Sequence, residues 1–322
     1  LVGSEMCIRD SLRPQYARAL AAYIKERGGL TFLTDCNTLY VGSRKNALEH
    51  IETAYINGYT PYATGCQVII ADGVRGTDEA YIPIGCAEVK TAKIGRAIAD
   101  ADIIISLNHF KGHEDAGFGG ALKNLGMGSG SRAGKMEMHY DGKPVVDRDR
   151  CRGCLKCATI CANDGIHYEN SKAVIDDDNC VGCGRCIAIC SFDAIKPHNS
   201  SSAASLNRRI AEYAYAVVKD KPNFHISIAA DISPNCDCHP ENDAPIVPNI
   251  GMFASFDPVA IDLAAADAVN AMPANPRSAL SEAECRCHDH FINVHPNTNW
   301  WVQIEHGEEI GLGSSEYELI RI

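Results

Sequence analysis

Apolar residues recur along this chain in two patterns, one with the spacing of a helix and one as short continuous runs. Residues 14–27 place Tyr16, Leu20 and Ile24 on one helical face, and the glycine pair that follows is typical of a helix end. Sequence patterns of this kind predict further helices over residues 44–57, 89–100, 203–218, 258–270 and 299–310. The short apolar runs predict strands over residues 30–33, 66–71, 102–107, 224–230, 251–256 and 317–320.

The alternation of these elements indicates the fold class. Short apolar strands separated by helices predict an α/β domain with a mostly parallel sheet covered on both faces. Aspartate caps helices and proline suits their first position, so Asp257-Pro258 marks a helix start. Because the alternation is interrupted in the middle of the chain, we predict a discontinuous α/β domain, residues 12–141 and 199–322. An inserted module then occupies residues 142–198.

That module contains eight of the 16 cysteines, as two copies of the spacing C-x2-C-x2-C-x3-C. In bacterial two-cluster ferredoxins the fourth cysteine of each such run ligates the cluster of the other run. We therefore predict a ferredoxin-like α+β module with two [4Fe-4S] clusters. The first cluster is assigned to Cys151, Cys154, Cys157 and Cys190. The second is assigned to Cys180, Cys183, Cys186 and Cys161.

Disulfides and zinc are the alternative uses of eight cysteines. Disulfide frameworks suit small secreted domains, and zinc sites usually pair two C-x2-C turns across a longer loop. The matching segments after each run, residues 162–166 and 191–195, indicate an internal duplication and favour iron–sulfur clusters. Ala162 and Ser191 stand where proline usually follows the fourth cysteine, which weakens a turn preference and removes no ligand.

The charge is distributed unevenly. The chain has a net charge of −11, and residues 231–322 carry 15 acidic and 3 basic side chains. Such an acidic surface argues against nucleic acid as a partner and favours solubility or docking to a basic protein partner. The expected partner is a redox partner protein or a small-molecule substrate. No apolar stretch is long enough to predict a membrane span. Thiolate-held clusters indicate a reducing interior, so we predict a cytoplasmic protein of an anaerobic setting.

The first residues of the chain have an unusual sequence. Residues 1–11 resemble one reading frame of the adapter used in transposon-based DNA library preparation. We expect this segment to be an artefact that replaces the true N-terminus, and a signal peptide is therefore not excluded. We leave it out of the fold prediction.

Residues 106–139 are the richest in candidate chemistry outside the module. They follow a predicted strand, where open α/β sheets bind ligands, and they contain eight glycines. We predict an anion site with a helix start near Gly120 and with ligand-binding residues Gly119, Gly120, Lys123, Asn124 and Lys135. Lys111, His113 and His139 are the candidate proton donors. The alternative is a connector that packs beneath the module. Neither a P-loop nor a dinucleotide fingerprint fits this stretch.

Seven cysteines remain beyond the module and residues 1–11. We interpret Cys36, Cys66 and Cys86 as structural. The C-terminal cysteines, each pair close to a histidine, raise the possibility of a further metal site at Cys236, Cys238, Cys285 and Cys287. Free thiols are the alternative.

Four motifs carry a resemblance to a known family: DCNTLY at 35–40, HFKGH at 109–113, GGALKNLGMG at 119–128 and DPVAID at 257–262. The chain resembles, over essentially all of residues 12–322, the family catalogued as domain of unknown function 362. The resemblance implies the α/β fold, the inserted two-cluster ferredoxin and a missing N-terminal segment with an opening strand. It implies no reaction.

Three functions are compatible with these patterns. The first is a redox enzyme in which two clusters pass electrons to a substrate or cofactor bound over residues 106–139. The second is a non-enzymatic electron-transfer adaptor that docks a redox partner through its acidic C-terminal third. The third is a cofactor-assembly or metal-handling protein that uses the C-terminal cysteines.

Overall fold

The structure of the chain is a computed structural model. It describes residues 12–39, 42–140, 143–180, 182–197, 202–237, 243–284 and 287–322. No helix within these ranges has the length and apolarity needed to cross a membrane.

The part of the chain before the cysteine runs, residues 12–140, alternates short helices and strands. Its elements are α1 (Pro14–Lys25), β1 (Phe32–Asp35), α2 (Ala47–Ile56), α3 (Pro61–Thr64), β2 (Gln67–Ile70), β3 (Glu79–Pro83), β4 (Thr91–Gly95), α4 (Arg96–Ala99), β5 (Ile104–His109), β6 (Lys111–His113), β7 (Gly117–Gly119), α5 (Ala121–Ser129) and α6 (Arg132–Tyr140). β1 pairs with β2 in parallel, and β3–β4 and β6–β7 are antiparallel pairs.

Residues 143–197, called the cysteine segment below, consist of two similar halves. The elements are β8 (Pro144–Val146), α7 (Lys156–Ile160), β9 (Ile166–Glu169), β10 (Lys172–Ile175), α8 (Arg185–Ile189) and β11 (Ile195–Pro197). β8 pairs with β11 and β9 with β10, both antiparallel. Each short helix follows a residue in the left-handed region, Leu155 before α7 and Gly184 before α8, both with φ of 66°.

The final part of the chain completes the sheet begun before the cysteine segment. Its elements are α9 (Ala203–Val218), β12 (Asn223–Ala229), β13 (Gly251–Ser255), α10 (Pro258–Asn270), α11 (Ala279–Glu282), α12 (His290–Val294) and α13 (Trp301–Glu309). β12 lies between β5, its parallel neighbour, and β13, its antiparallel neighbour. The parts before and after the cysteine segment therefore share one three-stranded sheet.

The core of these two parts forms around helices α5 and α9. A Cβ at Gly126 of α5 would lie only 2.3 Å from the carbonyl oxygen of Ile210 on α9, so glycine permits this close helix contact. Aromatic rings form another part of the core. Phe118 contacts Phe110, Phe291 and Trp300, with ring centroids 5.0 to 5.5 Å apart. The rings of Phe110 and Phe291 also meet, with centroids 5.9 Å apart. Apolar burial thus fixes α5, which carries residues of the site described below.

The predicted helices and strands agree with the structure where the sequence has both a clear boundary signal and a clear spacing of apolar residues. Helices α9 and α10 match their predictions, and Ser202 and Asp257 cap them. The expected helix over 89–100 is wrong: β4 occupies residues 91–95, and only Arg96–Ala99 is helical. The alternating burial of β4 against β3 decides its conformation. The expected strand over 317–320 is also absent, and Leu319 and Ile320 are exposed there.

The fold is mixed α/β, and the described residues do not form one mostly parallel sheet. Their strands make six small sheets, in which β1–β2 and β5–β12 are the parallel pairs. The prediction took every short apolar run as a strand of one sheet. Hairpins such as β3–β4 instead pair locally, which requires only a short connection.

Candidate functional site

A cavity of about 80 Å³ lies where β1 and β5 end and where α5 and α6 face them. It has room for roughly five to eight water molecules. Residues from six stretches of the chain line it: Asp35, Cys36, Thr38, Leu39, Arg44, His109, Lys111, His113, Glu114, Lys123, Asn124, Met127, Gly128, Lys135, His139, Cys236 and Asp237.

Most of the residues predicted for the site border this cavity. Lys111, His113, Lys123, Asn124, Lys135 and His139 all line it. Gly119 lies behind two of them, because a Cβ there would be 3.3 Å from Lys111 Nζ and 3.7 Å from Lys123 Cδ. Glycine at 119 therefore leaves space for both lysine side chains.

Gly120 has a different environment from the one predicted. Helix α5 does begin beside it, but the backbone N–H groups of Ala121 and Leu122 donate to the carboxyl of Asp262, at 2.6 and 2.9 Å. A Cβ at Gly120 would lie 2.2 Å from Asp262 Oδ1. The start of α5 is thus filled by a carboxyl of α10, and it is not available as the predicted anion cradle.

The Asp262 cap makes stability depend on pH. Asp262 is fully buried, and burial raises its pKa from 3.8 to about 7, against the opposing effect of the two N–H donors. Between these two values the folded chain holds a proton that the unfolded chain has lost, so stability contributed by this group is present below pH 3.8 and is lost as the pH rises through about 7.

We therefore expect wild type to lose stability relative to Asp262→Asn as the pH rises from 3.8 to about 7, because the variant has no titrating group at this position. Denaturant unfolding at a series of pH values measures the difference, with the exposed carboxylate variant Asp267→Asn as control. A difference that is flat or moves in favour of wild type contradicts the assignment.

His109, Asp237 and Lys111 form a buried group on one wall of the cavity. His109 Nδ1 lies 2.9 Å from Asp237 Oδ1, and His109 Nε2 lies 2.9 Å from the carbonyl oxygen of Ala230. Both neighbours of the ring are acceptors, so an N–H on either ring nitrogen has a partner. Lys111 Nζ donates to the carbonyl oxygen of His109 at 3.1 Å and lies 3.6 Å from Asp237 Oδ2. This network positions Lys111.

His113 has a fixed tautomer. Its Nδ1 accepts from the backbone N–H groups of Asp115 and Ala116, at 3.1 and 3.2 Å. When the ring is neutral, its proton must therefore be on Nε2. Of the three candidate proton donors, Lys111 is held by Asp237. The Nε2–H group of His113 remains as a hydrogen-bond donor.

His139 is a neutral histidine in this cavity. It is buried on α6, and burial, followed by the nearby His113, Lys123 and Lys135, lowers its pKa to about 3. A second ring proton on His139 is therefore disfavoured near neutral pH. The neutral ring remains as a hydrogen-bonding side chain of the cavity wall.

Two thiols in the cavity were not predicted to belong to it. Cys36 follows β1, donates from Sγ to the carbonyl oxygen of Ser129 at 3.3 Å, and has a pKa raised well above its ordinary value, mainly by burial. Cys236 is buried and its Sγ lies 3.3 Å from Lys123 Nζ. The position of Cys36 directly after a strand is a sequence signal that could have placed it in the site. No sequence signal indicates the approach of Cys236 to Lys123.

Helix α6 borders both the cavity and the cysteine segment. Lys135 and His139, one turn apart, line the cavity. Arg132 and Met136 lie beside them on the same side of the helix and face Gly184, where an ideal Cβ would be 2.7 Å from Arg132 Cγ and 3.6 Å from Met136 Cγ. Leu39 lines the cavity and also belongs to the apolar cluster that contains Met136 and Cys186. The two regions are thus in contact through a single helix.

The cysteines of the segment group across the two runs. A small surface pocket is lined by Cys151, Cys154 and Cys157 of the first run together with Cys190 of the second. Cys161 of the first run acts electrostatically on Cys180, whose pKa is raised by burial and then by the neighbouring thiols Cys183 and Cys161.

Backbone amides support the sulfur atoms in both halves. Gly165 donates to Cys161 Sγ and Ala194 donates to Cys190 Sγ, each at 3.3 Å and four residues beyond the cysteine. Ala173 donates to Cys151 Sγ at 3.4 Å. Three cysteine sulfur atoms thus accept a backbone amide, which is the kind of support that cluster ligands receive in iron–sulfur proteins.

The proposed C-terminal metal site has little support among the described residues. Cys238 and Cys285 lie outside them. Cys236 lines the cavity, while Cys287 is exposed and lies near Asn293. The described residues contain one compact group of metal-ligating side chains, His113, Glu114 and Asp115, and it includes neither cysteine.

The fold and the site define the class of this protein: it is an α/β chain with a cavity that borders a cysteine-rich segment. The family profile described as "Domain of unknown function (DUF362)" matches residues 9–267, so the chain belongs to this family. The match extends across the cavity residues and the cysteine segment. No curated protein and no solved structure matches the chain.

Proposed function

We propose that this chain is an iron–sulfur redox protein that passes electrons to a small molecule in the cavity. The observation that carries the proposal is helix α6, whose neighbouring side chains border the cavity and the cysteine segment at once. In this proposal residues 142–198 are the electron-transfer module of a discontinuous α/β host domain. When bound, two [4Fe-4S] clusters would each supply one-electron transfer.

The cysteine side chains fit two such groups. Cys151, Cys154, Cys157 and Cys190 would hold the first cluster. Cys180, Cys183, Cys186 and Cys161 would hold the second. Burial and the neighbouring Cys183 and Cys180 raise the pKa of Cys186 to about 12, so its thiolate needs a compensating positive charge such as iron.

The cavity lining favours a small anion as the substrate. Lys111, Lys123 and Lys135 converge on it from β6, α5 and α6, and Lys111 and Lys135 are each 6% exposed. Lys111 already meets Asp237 and the carbonyl oxygen of His109, and Lys135 donates to the carbonyl oxygen of Gly130. An ammonium has three N–H donors, so a carboxylate or phosphate can accept further hydrogen bonds from these lysines. The volume of the cavity suits a compact molecule, such as a short carboxylate.

In this proposal His113 orients the substrate. Its Nδ1 accepts from two backbone N–H groups, so Nε2–H is left to donate a hydrogen bond to the bound anion. Reduction of the substrate by two electrons would be balanced by two protons from solvent. A reduced electron-carrier protein would supply the electrons.

Anaerobically purified protein tests the proposal. We expect about eight irons and eight sulfides per chain. After reduction with dithionite and removal of the excess, addition of a substrate anion is expected to reoxidise the protein, as followed by visible absorbance. A chain that holds no iron refutes the proposal. An added stoichiometric zinc, nickel or copper would instead support the metal-handling function.

Replacement of Lys123 or Lys135 by alanine is expected to weaken anion binding about ten- to hundredfold, because each ammonium contributes a charge-assisted hydrogen bond. Calorimetric titration with inorganic phosphate and with malonate measures the effect, and the iron content should not change. Lys90→Ala, an exposed lysine that donates to the carbonyl oxygen of Cys86, is the matched control. Equal affinities in all three variants would mean that residues 106–139 serve as a connector.

The acidic C-terminal third favours a second candidate, an electron-transfer adaptor that docks a basic redox protein. Residues 231–322 carry a net charge of −12. Binding of a basic electron-carrier protein that disappears above about 0.15 M salt would favour this candidate. A small molecule retained in the cavity through purification would favour the enzyme.

A further inference from the structure

Arg132 is a buried cation whose hydrogen bonds are incomplete. It begins α6, has no exposed surface, and donates from Nη2 to the carbonyl oxygen of Lys45. Its Nε and Nη1 atoms have no hydrogen-bond acceptor within the described part of the chain. Guanidinium N–H groups buried without an acceptor are costly, so this pair of donors indicates an acceptor outside the described residues.

The side chain of Arg132 lies directly on a turn of the cysteine segment. A Cβ at Gly184 would be 2.7 Å from Arg132 Cγ and 2.8 Å from Arg132 Cδ, and Gly184 has a φ of +66°. Only glycine combines this backbone conformation with so close a contact. Gly184 directly follows Cys183, and the guanidinium interacts electrostatically with the buried Asp72 first and then with Cys186 and Cys183.

The equivalent position in the other half of the segment has no such contact. Leu155 follows Cys154 as Gly184 follows Cys183, with the same φ of 66°, but its side chain is 50% exposed. Cys154 is exposed as well. The two halves are therefore alike in backbone and different in charge environment.

We propose that Arg132 donates from Nε–H and Nη1–H to sulfur atoms of the cluster held by Cys180, Cys183, Cys186 and Cys161. This inference rests on the proposed function. A positive charge and N–H donors stabilise the more negative, reduced state of a cluster, so its reduction potential rises. Electrons that enter the segment would then collect on the side that faces α6 and the cavity.

Redox titration of intact, iron-loaded protein followed by electron paramagnetic resonance tests the proposal. At a fixed ambient potential we expect Arg132→Gln to lower the ratio of reduced to oxidised second cluster at least tenfold, which corresponds to about 59 mV. The first cluster, identified by its loss in Cys190→Ala, is the internal control and should titrate as in wild type. An unchanged second potential in loaded Arg132→Gln overturns the proposal.

Arg132→Lys covers the case in which Arg132→Gln fails to fold or to bind iron. Lysine keeps the charge and loses the forked N–H groups, so a smaller fall in potential is expected. An unchanged potential in loaded Arg132→Lys also overturns the proposal. Wild-type protein without iron would refute the proposed function itself, which separates the two failures.

Discussion

Cys190→Ala is expected to remove the cluster of the first cysteine run, although Cys190 belongs to the second run. Cys190 lines the same pocket as Cys151, Cys154 and Cys157. Loss of one of four thiolates should release that cluster and leave about four of about eight irons. Iron and sulfide analysis per chain, on protein purified without oxygen, measures the result.

Double variants show whether the ligation is crossed. Adding Cys151→Ala to Cys190→Ala should cost no further iron, because both side chains would hold the same proposed cluster. Adding Cys180→Ala should remove the remainder. Cys66→Ala, a buried cysteine outside the segment, is the control and should keep all the iron. The reverse outcome, in which the Cys180 and Cys190 pair leaves four irons, would show uncrossed ligation.

Asp262→Ala is expected to lower the free energy of unfolding by about 2–6 kcal/mol, because two buried N–H groups of α5 lose their acceptor at about 1–3 kcal/mol each. The two donors are Ala121 and Leu122, and Asp262 is fully buried between α5 and α10. Guanidinium chloride unfolding of anaerobic protein measures the change.

Asp267→Ala on the same helix is the matched control for this loss. Its carboxylate is exposed and accepts from Tyr317 Oη at 2.7 Å, so a change within about 0.5 kcal/mol is expected. If Asp262→Ala were as stable as this control, the carboxyl would not be an essential cap of α5. Weaker anion binding at preserved stability would give it a role in the cavity instead.

Local signals predicted the helices with caps, and they failed where pairing partners decide the conformation. Asp257 accepts from the N–H groups of Val259 and Ala260, as its position before Pro258 indicated. Residues 91–95 have no such local marker, and they form a strand because β3 lies beside them. The conformational preferences of residues 91–95 do not show that a strand lies beside them.

The cavity was predictable in the part that comes from one continuous stretch. Lys111, Lys123 and Lys135 lie within 25 residues of one another, and their approach follows from two helices after a strand. Cys236 and Asp237 come from beyond β12 and are brought in by the parallel pairing with β5. One signal was available for Asp262, a carboxylate among apolar residues in the predicted helix 258–270, where a buried charge needs a partner.

The pairing of β5 with β12 fixes an order of events during synthesis. Asn223 of β12 lies opposite Ile104 of β5, so the sheet closes a loop that contains the whole cysteine segment. Translation at about 5–20 residues per second delivers all eight cysteines several seconds before the end of β12 leaves the ribosome. Loading of the proposed clusters can therefore precede closure of the sheet, so a shortage of iron would act on the nascent chain before its cavity has formed.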